Sequence, residues 1–323
     1  MNVLLVGGAG YIGRVVTNYL RGCGYDTTVA DLFKFSQPNE LRTTVEVKIV
    51  DTRELVVADF AGVDMVVDLA AISNDPAGDL NPELTRTINA VTRARTARLA
   101  REAGVRRYVL FSSCSVYGAT DELVNETSPV NPLTEYAACN LYAEREILDL
   151  AGPDFCATAL RLATVFGLSP SMRFDLVVNT MTLGVHDSGR ITVTGGGDQY
   201  RPMVHVADVA EAVRAVLEAP TAVVNGEVYN VVHTSMSMRE VAAAVVRGVN
   251  RPVEVVVCEE DPDRRNYRVD GTKLAARLGF TPARTVEAGA ETIFDALTSG
   301  VVSKLPWTIR LNGYREMVAR LVS

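Results

Sequence analysis

Residues 3–13 read VLLVGGAGYIG, and this stretch decides the fold. The run VLLV is short, continuous and apolar, which is typical of a buried parallel strand. Residues 11–21 then carry apolar side chains at helical spacing. A glycine-rich turn therefore joins a strand to a helix, and the free N–H groups at the start of that helix favour an anion such as a pyrophosphate.

The glycines of this turn and the acid after the next strand indicate a dinucleotide site. Gly7, Gly10 and Gly13 give the spacing GxxGxxG, which permits a tight turn and close approach of the backbone to a ligand. Asp31 ends the second strand-like run, where a carboxylate accepts hydrogen bonds from an adenosine ribose. Because a carboxylate repels a 2′-phosphate, NAD is favoured over NADP, a preference that the neighbouring Lys34 tempers.

Strand-like and helix-like runs alternate through the first half of the chain, which predicts right-handed βαβ units in one parallel sheet. We expect an α/β fold, a Rossmann-type doubly wound parallel sheet. The further strand-like runs lie at 27–30, 45–50, 65–69, 107–111 and 157–162, and the clearest helical runs at 84–103 and 136–151.

After about residue 166 the alternation weakens, which indicates a second unit. We expect the Rossmann domain to comprise 1–165 plus about 200–232. A smaller, discontinuous C-terminal α/β substrate lobe would comprise about 166–199 and 233–323. Short strands at 191–194 and 253–257, and helices at 236–248 and 271–278, are predicted for this lobe.

Composition excludes several classes of protein. The 323 residues are 48% hydrophobic and 22% charged, with a formal net charge of −7, which disfavours a nucleic-acid-binding protein. Five scattered cysteines and three histidines show no metal-ligand spacing, so no metal is expected. The sequence contains no apolar run of about 18 residues, so no membrane span is predicted. The first residues do not resemble a signal peptide. We expect a cytoplasmic protein.

Several ordered motifs besides the glycine turn point to one family. They are LAAIS at 69–73, SSCSVYG at 112–118, a tyrosine at 136, RLATVFG at 161–167, RPMVHVADVA at 201–210 and DRRNYRVD at 263–270. With these motifs the chain resembles the extended short-chain dehydrogenase/reductase superfamily, most of all its nucleotide-sugar epimerases and dehydratases. The resemblance implies NAD as cofactor, a nucleotide-diphosphate sugar as substrate and a homodimer formed through the helices near 84–103 and 136–151.

The resemblance also implies a set of binding residues. The cofactor positions are Gly7, Gly10, Tyr11, Ile12, Gly13, Asp31, Asp51, Thr52, Leu69, Ala70, Ala71, Asn89, Tyr136 and Asn140. The substrate positions are Ser113, Ser115, Asn179, Arg201, Arg264 and Arg265. Arginine suits the grip on a diphosphate because its guanidinium makes bidentate, charge-assisted hydrogen bonds.

The catalytic positions match the family at two residues and depart from it at a third. Family members use a Ser or Thr, a Tyr and a Lys four residues after the Tyr; here these are Ser113, Tyr136 and Asn140. A free tyrosine titrates near pH 10, so only about 0.1% is phenolate at pH 7 without a nearby positive charge. Proton abstraction by Tyr136 is handicapped unless the oxidised nicotinamide or an arginine distant in sequence substitutes. Replacing Asn140 by Lys is then expected to preserve or raise activity.

The residues directly after Ser113 narrow the reaction. The 4,6-dehydratases of the family carry an acidic pair there, whereas Cys114 and Ser115 are neutral, as in the epimerases. This disfavours the dehydratase mechanism and leaves three hypotheses open. They are an epimerase that acts through a transient keto-sugar, an NAD(P)H-dependent keto-sugar reductase, and an NAD-binding regulatory protein without catalysis.

Overall fold

The computed structural model describes residues 1–42, 45–260 and 265–322. A parallel sheet of seven strands forms its centre, in the order β11-β7-β5-β4-β1-β2-β3. The strands are β1 Asn2–Val6, β2 Asp26–Asp31, β3 Glu46–Ile49, β4 Met65–Asp68, β5 Arg107–Ser113, β6 Leu123–Val124, β7 Cys156–Leu162, β8 Thr164–Phe166, β9 Arg190–Val193, β10 Tyr200–His205, β11 Glu227–Val231, β12 Thr234–Ser237, β13 Glu254–Val257 and β14 Arg268–Val269.

Helices connect these strands, and a π-helical segment, Thr87–Thr92, joins two of them. The α-helices are α1 Tyr11–Gly22, α2 Pro38–Arg42, α3 Asp75–Gly78, α4 Pro82–Arg86, α5 Arg93–Glu102, α6 Glu135–Leu148, α7 Val177–Ser188, α8 Val206–Glu218, α9 Thr221–Val224, α10 Met238–Val249, α11 Thr272–Leu278, α12 Val286–Thr298 and α13 Arg310–Val322. Residues 82–102 thus form two α-helices with a wider turn between them, rather than the single helix that the pattern predicts.

Both faces of the large sheet are buried, because successive side chains of a strand point to opposite faces. Val3 and Leu5 pack in one core, to which α1 and α8 also contribute. Leu4 and Val6 pack in a second core with residues of α5 and α6. Each such side chain contributes about 1.5–3 kcal/mol on burial, so the continuous apolar run VLLV reflects two cores that share one strand.

The strand order confirms the Rossmann-type fold and locates its ligand crevice. From β1 the chain runs outward to β2 and β3 on one side, then returns to β4, β5 and β7 on the other. Ligands of such sheets bind at the carboxyl ends of the strands, where the order reverses. The glycine turn follows β1 directly at this reversal.

A smaller set of elements lies on the carboxyl side of β7. Here β12, β10 and β8 form a three-stranded sheet, and β13 pairs with β9. A separate core around the buried Phe166 gathers apolar residues of α7, α10 and α12. The division of the chain into two lobes stays a prediction. Of the residues 200–232 that were assigned to the first domain, β11 joins the large sheet and α8 packs on α1. Residues 200–205, in contrast, pair in the small sheet.

The C-terminal residues form helices that the sequence reading does not foresee. Helix α12 packs against α10 and α7, and α13 packs against α3 near the crevice. Within the described ranges, no helix combines the length and the apolar character that crossing a bilayer requires. The five cysteines, all of them described, are free thiols.

Candidate active site

One cavity of about 1080 Å³ runs along the carboxyl ends of the central strands. It extends from the glycine turn to Arg201 and Arg265 in the smaller set of elements. Its volume lies at the upper end of the range for ligand pockets, as a site for a dinucleotide and a second ligand requires. The predicted positions that line it are Gly7, Gly10, Tyr11, Ile12, Gly13, Asp31, Asp51, Thr52, Leu69, Ala70, Ala71, Ser113, Ser115, Tyr136, Asn140, Arg201 and Arg265.

The glycine turn forms a cradle that a side chain would fill. Gly7 has φ +80°, and a Cβ atom there would lie 2.6 Å from the backbone nitrogen of Ala70. A Cβ on Gly13 would lie 2.6 Å from the Cα of Gly8, so the third glycine permits the helix to pack on the turn. Gly10 caps α1 without any side-chain hydrogen bond, which leaves first-turn N–H groups for an anion. The cradle therefore fits the pyrophosphate of NAD.

Asp31 holds the loops on either side of it. Its carboxylate accepts hydrogen bonds from the backbone N–H of Ala9 at 3.0 Å and of Phe33 at 2.8 Å. Burial raises the pKa of this carboxyl, although the backbone donors oppose the shift. Each carboxylate oxygen has further acceptor capacity, so the group is placed to bind ribose hydroxyls at the end of β2.

Asp51 and the loop after β4 form the next part of the wall. Arg53 forms an ion pair with Asp51 at 2.6 Å, and this hydrogen-bonded partner lowers the pKa of the Asp51 carboxyl. Asn89 is fully buried and does not line the cavity. Its amide accepts from the N–H of Ile72 at 2.8 Å and donates to the Ile72 carbonyl at 2.9 Å. Asn89 thus supports the cofactor loop from behind, not as a ligand.

Ser113, Tyr136 and Asn140 meet at the centre of the cavity. Ser113 lies at the end of β5, and its hydroxyl accepts a hydrogen bond from the N–H of Ser115 at 3.1 Å. Burial raises the pKa of the Tyr136 phenol above its ordinary value. The carboxylate of Asp75 raises it further, whereas the Arg93 guanidinium and the polar side chains of Asn140 and Ser113 lower it.

A buried arginine reaches Asn140 from another helix. Arg93 begins α5 and is 2% exposed. Its Nη1 donates to Oδ1 of Asn140 at 3.0 Å, its Nε pairs with Asp68 at 3.1 Å, and its Nη2 donates to the Phe111 carbonyl at 2.6 Å. The guanidinium also lowers the pKa of Tyr136. The positive charge that position 140 lacks is therefore present close by.

The two residues after Ser113 have different surroundings. Cys114 is buried outside the cavity wall, and its Sγ contacts the Arg161 carbonyl at 3.3 Å. Burial raises the pKa of the thiol, so it is not an acid or base for a ligand. Ser115 is 3% exposed and lines the cavity, yet its hydroxyl makes no hydrogen bond to any described residue.

Arg201 and Arg265 contact each other in the wall of the cavity. Arg201 is buried, and its Nη1 donates to the carbonyls of Tyr200 and Arg265. Arg265 forms an ion pair with Asp75, which crosses from α3 to the 265 segment. Arg264, the third predicted arginine, lies outside the described residues. The two described arginines bring positive charge to one wall.

Asn179 is not available to a ligand, contrary to the prediction. It is fully buried on α7 and does not line the cavity. Its oxygen accepts from the N–H of Gly167 at 3.1 Å, and its nitrogen donates to the Tyr11 hydroxyl at 3.2 Å and the Arg173 carbonyl at 2.9 Å. These bonds use both amide hydrogens, so Asn179 ties α7 to the glycine turn.

The C-terminal segment closes one side of the cavity, which the sequence reading misses. Arg310 donates to the Phe35 carbonyl at 3.1 Å and to the Ser171 hydroxyl at 2.7 Å. Its guanidinium lies 4.5 Å from the centroid of the Phe35 ring, and Tyr314 packs edge-on against the same ring. Arg310 and Tyr314 both line the cavity. Helical periodicity in residues 310–322 is the signal from which this helix could have been found.

Comparison with known proteins shows the family to which the chain belongs. The sequence profile described as the NAD dependent epimerase/dehydratase family matches residues 3–231. The chain belongs to the NAD-dependent epimerase/dehydratase family. Its cofactor is therefore NAD, and the expected enzyme class, extended short-chain dehydrogenase/reductases that act on nucleotide sugars, is confirmed.

Individual relatives differ in the reaction that their names give. The chain is 30% identical to a dTDP-glucose 4,6-dehydratase of Streptomyces niveus, over 87% of this chain and 88% of the relative. It is 29% identical to a UDP-glucose 4-epimerase of Mycolicibacterium smegmatis, over 90% and 96%. The structure of MoeE5 in complex with UDP-glucose and NAD is 27% identical, with a TM-score of 0.79, over 94% of this chain and all of that one. Membership of the family therefore does not determine which reaction this protein catalyses, and the residues of the site have to be considered.

Proposed function

We propose that this family member is a nucleotide-sugar epimerase that inverts a ring carbon through a transient keto-sugar. The observation that supports it best is that both residues directly after Ser113 are uncharged. Ser113 and Tyr136 line the cavity together, while the next position, Cys114, is a buried thiol and Ser115 an unpaired hydroxyl. Elimination of water needs an acid and a base at these places, whereas epimerisation needs only one group that takes and returns the hydroxyl proton, since the hydride passes to the cofactor and back.

The proposed roles follow from the geometry. The glycine turn and Asp31 hold NAD, which when bound takes up and returns a hydride at the sugar carbon. Ser113 orients the reacting hydroxyl, and Tyr136 takes its proton and later gives it back. Asn140 binds the nicotinamide ribose through its amide. Ser115 offers its hydroxyl to the sugar.

We propose that the nucleotide diphosphate lies between Arg201 and Arg265. Both side chains line the cavity. Arg265 forms an ion pair with Asp75, so a diphosphate would compete with this carboxylate for the guanidinium. Relatives are named for UDP- and dTDP-sugars, and we extend this class of substrate to the present chain.

A keto-sugar reductase is the second candidate, because burial and Asp75 raise the pKa of Tyr136. The neutral phenol is the form that donates a proton to a keto group during reduction. The two candidates differ in the cofactor balance. Epimerisation returns NAD to its starting state in every cycle, whereas reduction consumes one NADH for each product.

The test is incubation with a panel of UDP- and dTDP-sugars and their keto forms, followed by NMR of the products and absorbance of NADH. We expect an epimer to form without net NADH consumption, and Tyr136→Phe to lose most turnover. Arg239→Ala is the matched control, since Arg239 is exposed and pairs with Asp198 outside the cavity. Stoichiometric loss of NADH would favour the reductase, and a product that has lost water would favour a dehydratase.

We also propose a homodimer and a cytoplasmic location. The exposed Val91 and Tyr142, 55% and 46% accessible, lie in the segments predicted to pair. Light scattering of the protein and of Tyr142→Glu tests the dimer: the variant should be a monomer, and an unchanged mass would place the interface elsewhere. The five free thiols support the location, because disulfides are rare in the cytosol.

A further inference from the structure

The lysine that the family places four residues after the tyrosine is absent, and the structure offers two residues in its place. Asn140 is 1% exposed and Arg93 is 2% exposed, so their contact is shielded from water. The contact joins α6 to the start of α5, 47 residues away in sequence. A hydrogen bond to a charged group in such surroundings is stronger than one between neutral groups, so it holds the Asn140 side chain in one orientation.

Arg93 determines which end of the Asn140 amide faces the cavity. A guanidinium carries only donors, so the amide group that faces Arg93 must be the carbonyl oxygen. The Nδ2 group is then turned away from Arg93. One of its hydrogens goes to the Tyr136 carbonyl at 3.0 Å, and the Asn140 side chain also lies close enough to the Tyr136 phenol to lower its pKa. Towards Tyr136 and the cofactor, the amide offers a donor and no acceptor.

We propose that Arg93 and Asn140 act together as a positioning pair for Tyr136, a replacement in two residues for the missing lysine. Arg93 supplies the positive charge and orients the amide, and Asn140 presents its one remaining Nδ2 hydrogen to the phenol oxygen, or to a ribose hydroxyl when NAD is bound. Neither residue takes up or releases a proton. The arrangement itself does not depend on the proposed function, but its catalytic consequence does.

Other charged groups around Tyr136 also influence the pKa of its phenol. Asp75 on α3 opposes Arg93, and Arg173 from the segment before α7 interacts with the same phenol. Asp68, on β4, pairs with Arg93 and reduces its influence without removing it. The pair therefore offsets burial and Asp75 only in part.

The decisive variant is Asn140→Asp, which keeps the shape of the side chain. An aspartate retains an oxygen for Arg93 but puts a second oxygen where Nδ2 lies, so the donor to Tyr136 is replaced by an acceptor. Arg93→Lys keeps the charge and loses the fork of donors that orients the amide. Arg161→Lys is the matched control, because Arg161 forms a second buried pair, with Glu144, and donates to the hydroxyl of Tyr117.

The readout is the pH titration of Tyr136 by NMR of protein carrying 13C at the tyrosine ring carbon bonded to oxygen. The signal is assigned from the spectrum of Tyr136→Phe, and no substrate is added, so the result does not depend on the reaction. We expect the pKa of Tyr136 to rise by at least one unit in Asn140→Asp, to rise in Arg93→Lys, and to stay unchanged in Arg161→Lys. The base-side limb of the pH–rate profile should move with it.

Two results would overturn the proposal. One is a Tyr136 pKa in folded Asn140→Asp within 0.3 units of that of the wild type. The other is an equal shift in Arg161→Lys, which would show a general effect of destabilisation. If the titrations behave as expected but no nucleotide sugar is converted, the pair stands and the proposed function fails.

Discussion

Nη1 of Arg93 donates a hydrogen bond to Oδ1 of Asn140 at 3.0 Å, inside the protein and one helical turn beyond Tyr136. The same guanidinium pairs with Asp68, so the buried group holds one positive and one negative charge. Because the positive charge of Arg93 is already present, a lysine at position 140 would add a second one beside it. We therefore expect Asn140→Lys to lower activity, whereas the sequence alone predicts that this change preserves or raises it.

Asn140→Lys should destabilise the protein by about 3 kcal/mol, because it adds an unpaired charge to a buried ion pair. Activity should fall with it. The double variant, Arg93→Met with Asn140→Lys, again has one buried positive charge, the new lysine, beside the negative charge of Asp68. Most of the stability and turnover should therefore recover. Urea unfolding and steady-state rates of the four proteins of this cycle measure the coupling. Additive effects would show that the two positions do not interact.

We expect the preference for NAD over NADP to depend on Asp31. The wild type should bind NAD at least tenfold more tightly than NADP, a difference of about 1.4 kcal/mol, because the carboxylate repels a 2′-phosphate. Asp31→Ala should shrink that ratio. Asp26→Ala, an exposed change at the other end of β2, should leave it unchanged. Calorimetric titration with both cofactors measures these affinities. Equal affinities for NAD and NADP in the wild type would contradict the role proposed for Asp31.

Arg201 and Arg265 should carry affinity for the nucleotide diphosphate. Replacing either with Ala should weaken binding by about 1.5–3 kcal/mol, the range for hydrogen bonds to charged groups. Arg239→Ala should bind as the wild type does. The measurement is titration of the NAD-loaded protein with a nucleoside diphosphate. Unchanged affinity in both variants would place the diphosphate elsewhere.

Stability should fall as pH drops from about 6.5 towards 4, partly through His205. Its ring packs on Phe166, and burial lowers its pKa from 6.5 to about 4, whereas Asp208 and Glu211 oppose the shift. The unfolded chain then binds a proton that the folded chain does not, a loss of roughly 2–3 kcal/mol. His205→Asn keeps an acceptor for the N–H of Ala207 at the start of α8. Its urea unfolding should depend less on pH in this range, and an unchanged dependence would contradict the assignment.

The sequence predicts the sheet well because each strand and the glycine turn are identified by residues that are neighbours in the sequence. Glycine spacing and the apolar run at 3–6 identify β1, the turn and α1 directly, and Asp31 follows from the end of the next strand. Residues Ser113 and Tyr136 also reach the cavity as expected.

What the sequence does not show depends on distant contacts. The contact of Arg93 with Asn140 spans 47 residues, and that of Arg310 with Phe35 spans 275. Asn89 and Asn179 have the polarity of ligands, but their hydrogen-bonding groups are used inside the protein. Side-chain type alone does not distinguish a ligand from a buried amide that holds a loop.

The most direct test of the central claim uses the nucleotide sugar that the panel identifies, carrying deuterium on the carbon that is inverted. Turnover in ordinary water is followed by NMR of the product and by the absorbance of NADH. Because the hydrogen taken from the carbon returns to it, we predict that the epimer keeps the deuterium and that no NADH is consumed. Loss of the deuterium to water, or one NADH consumed for each product, would contradict epimerisation through a transient keto-sugar.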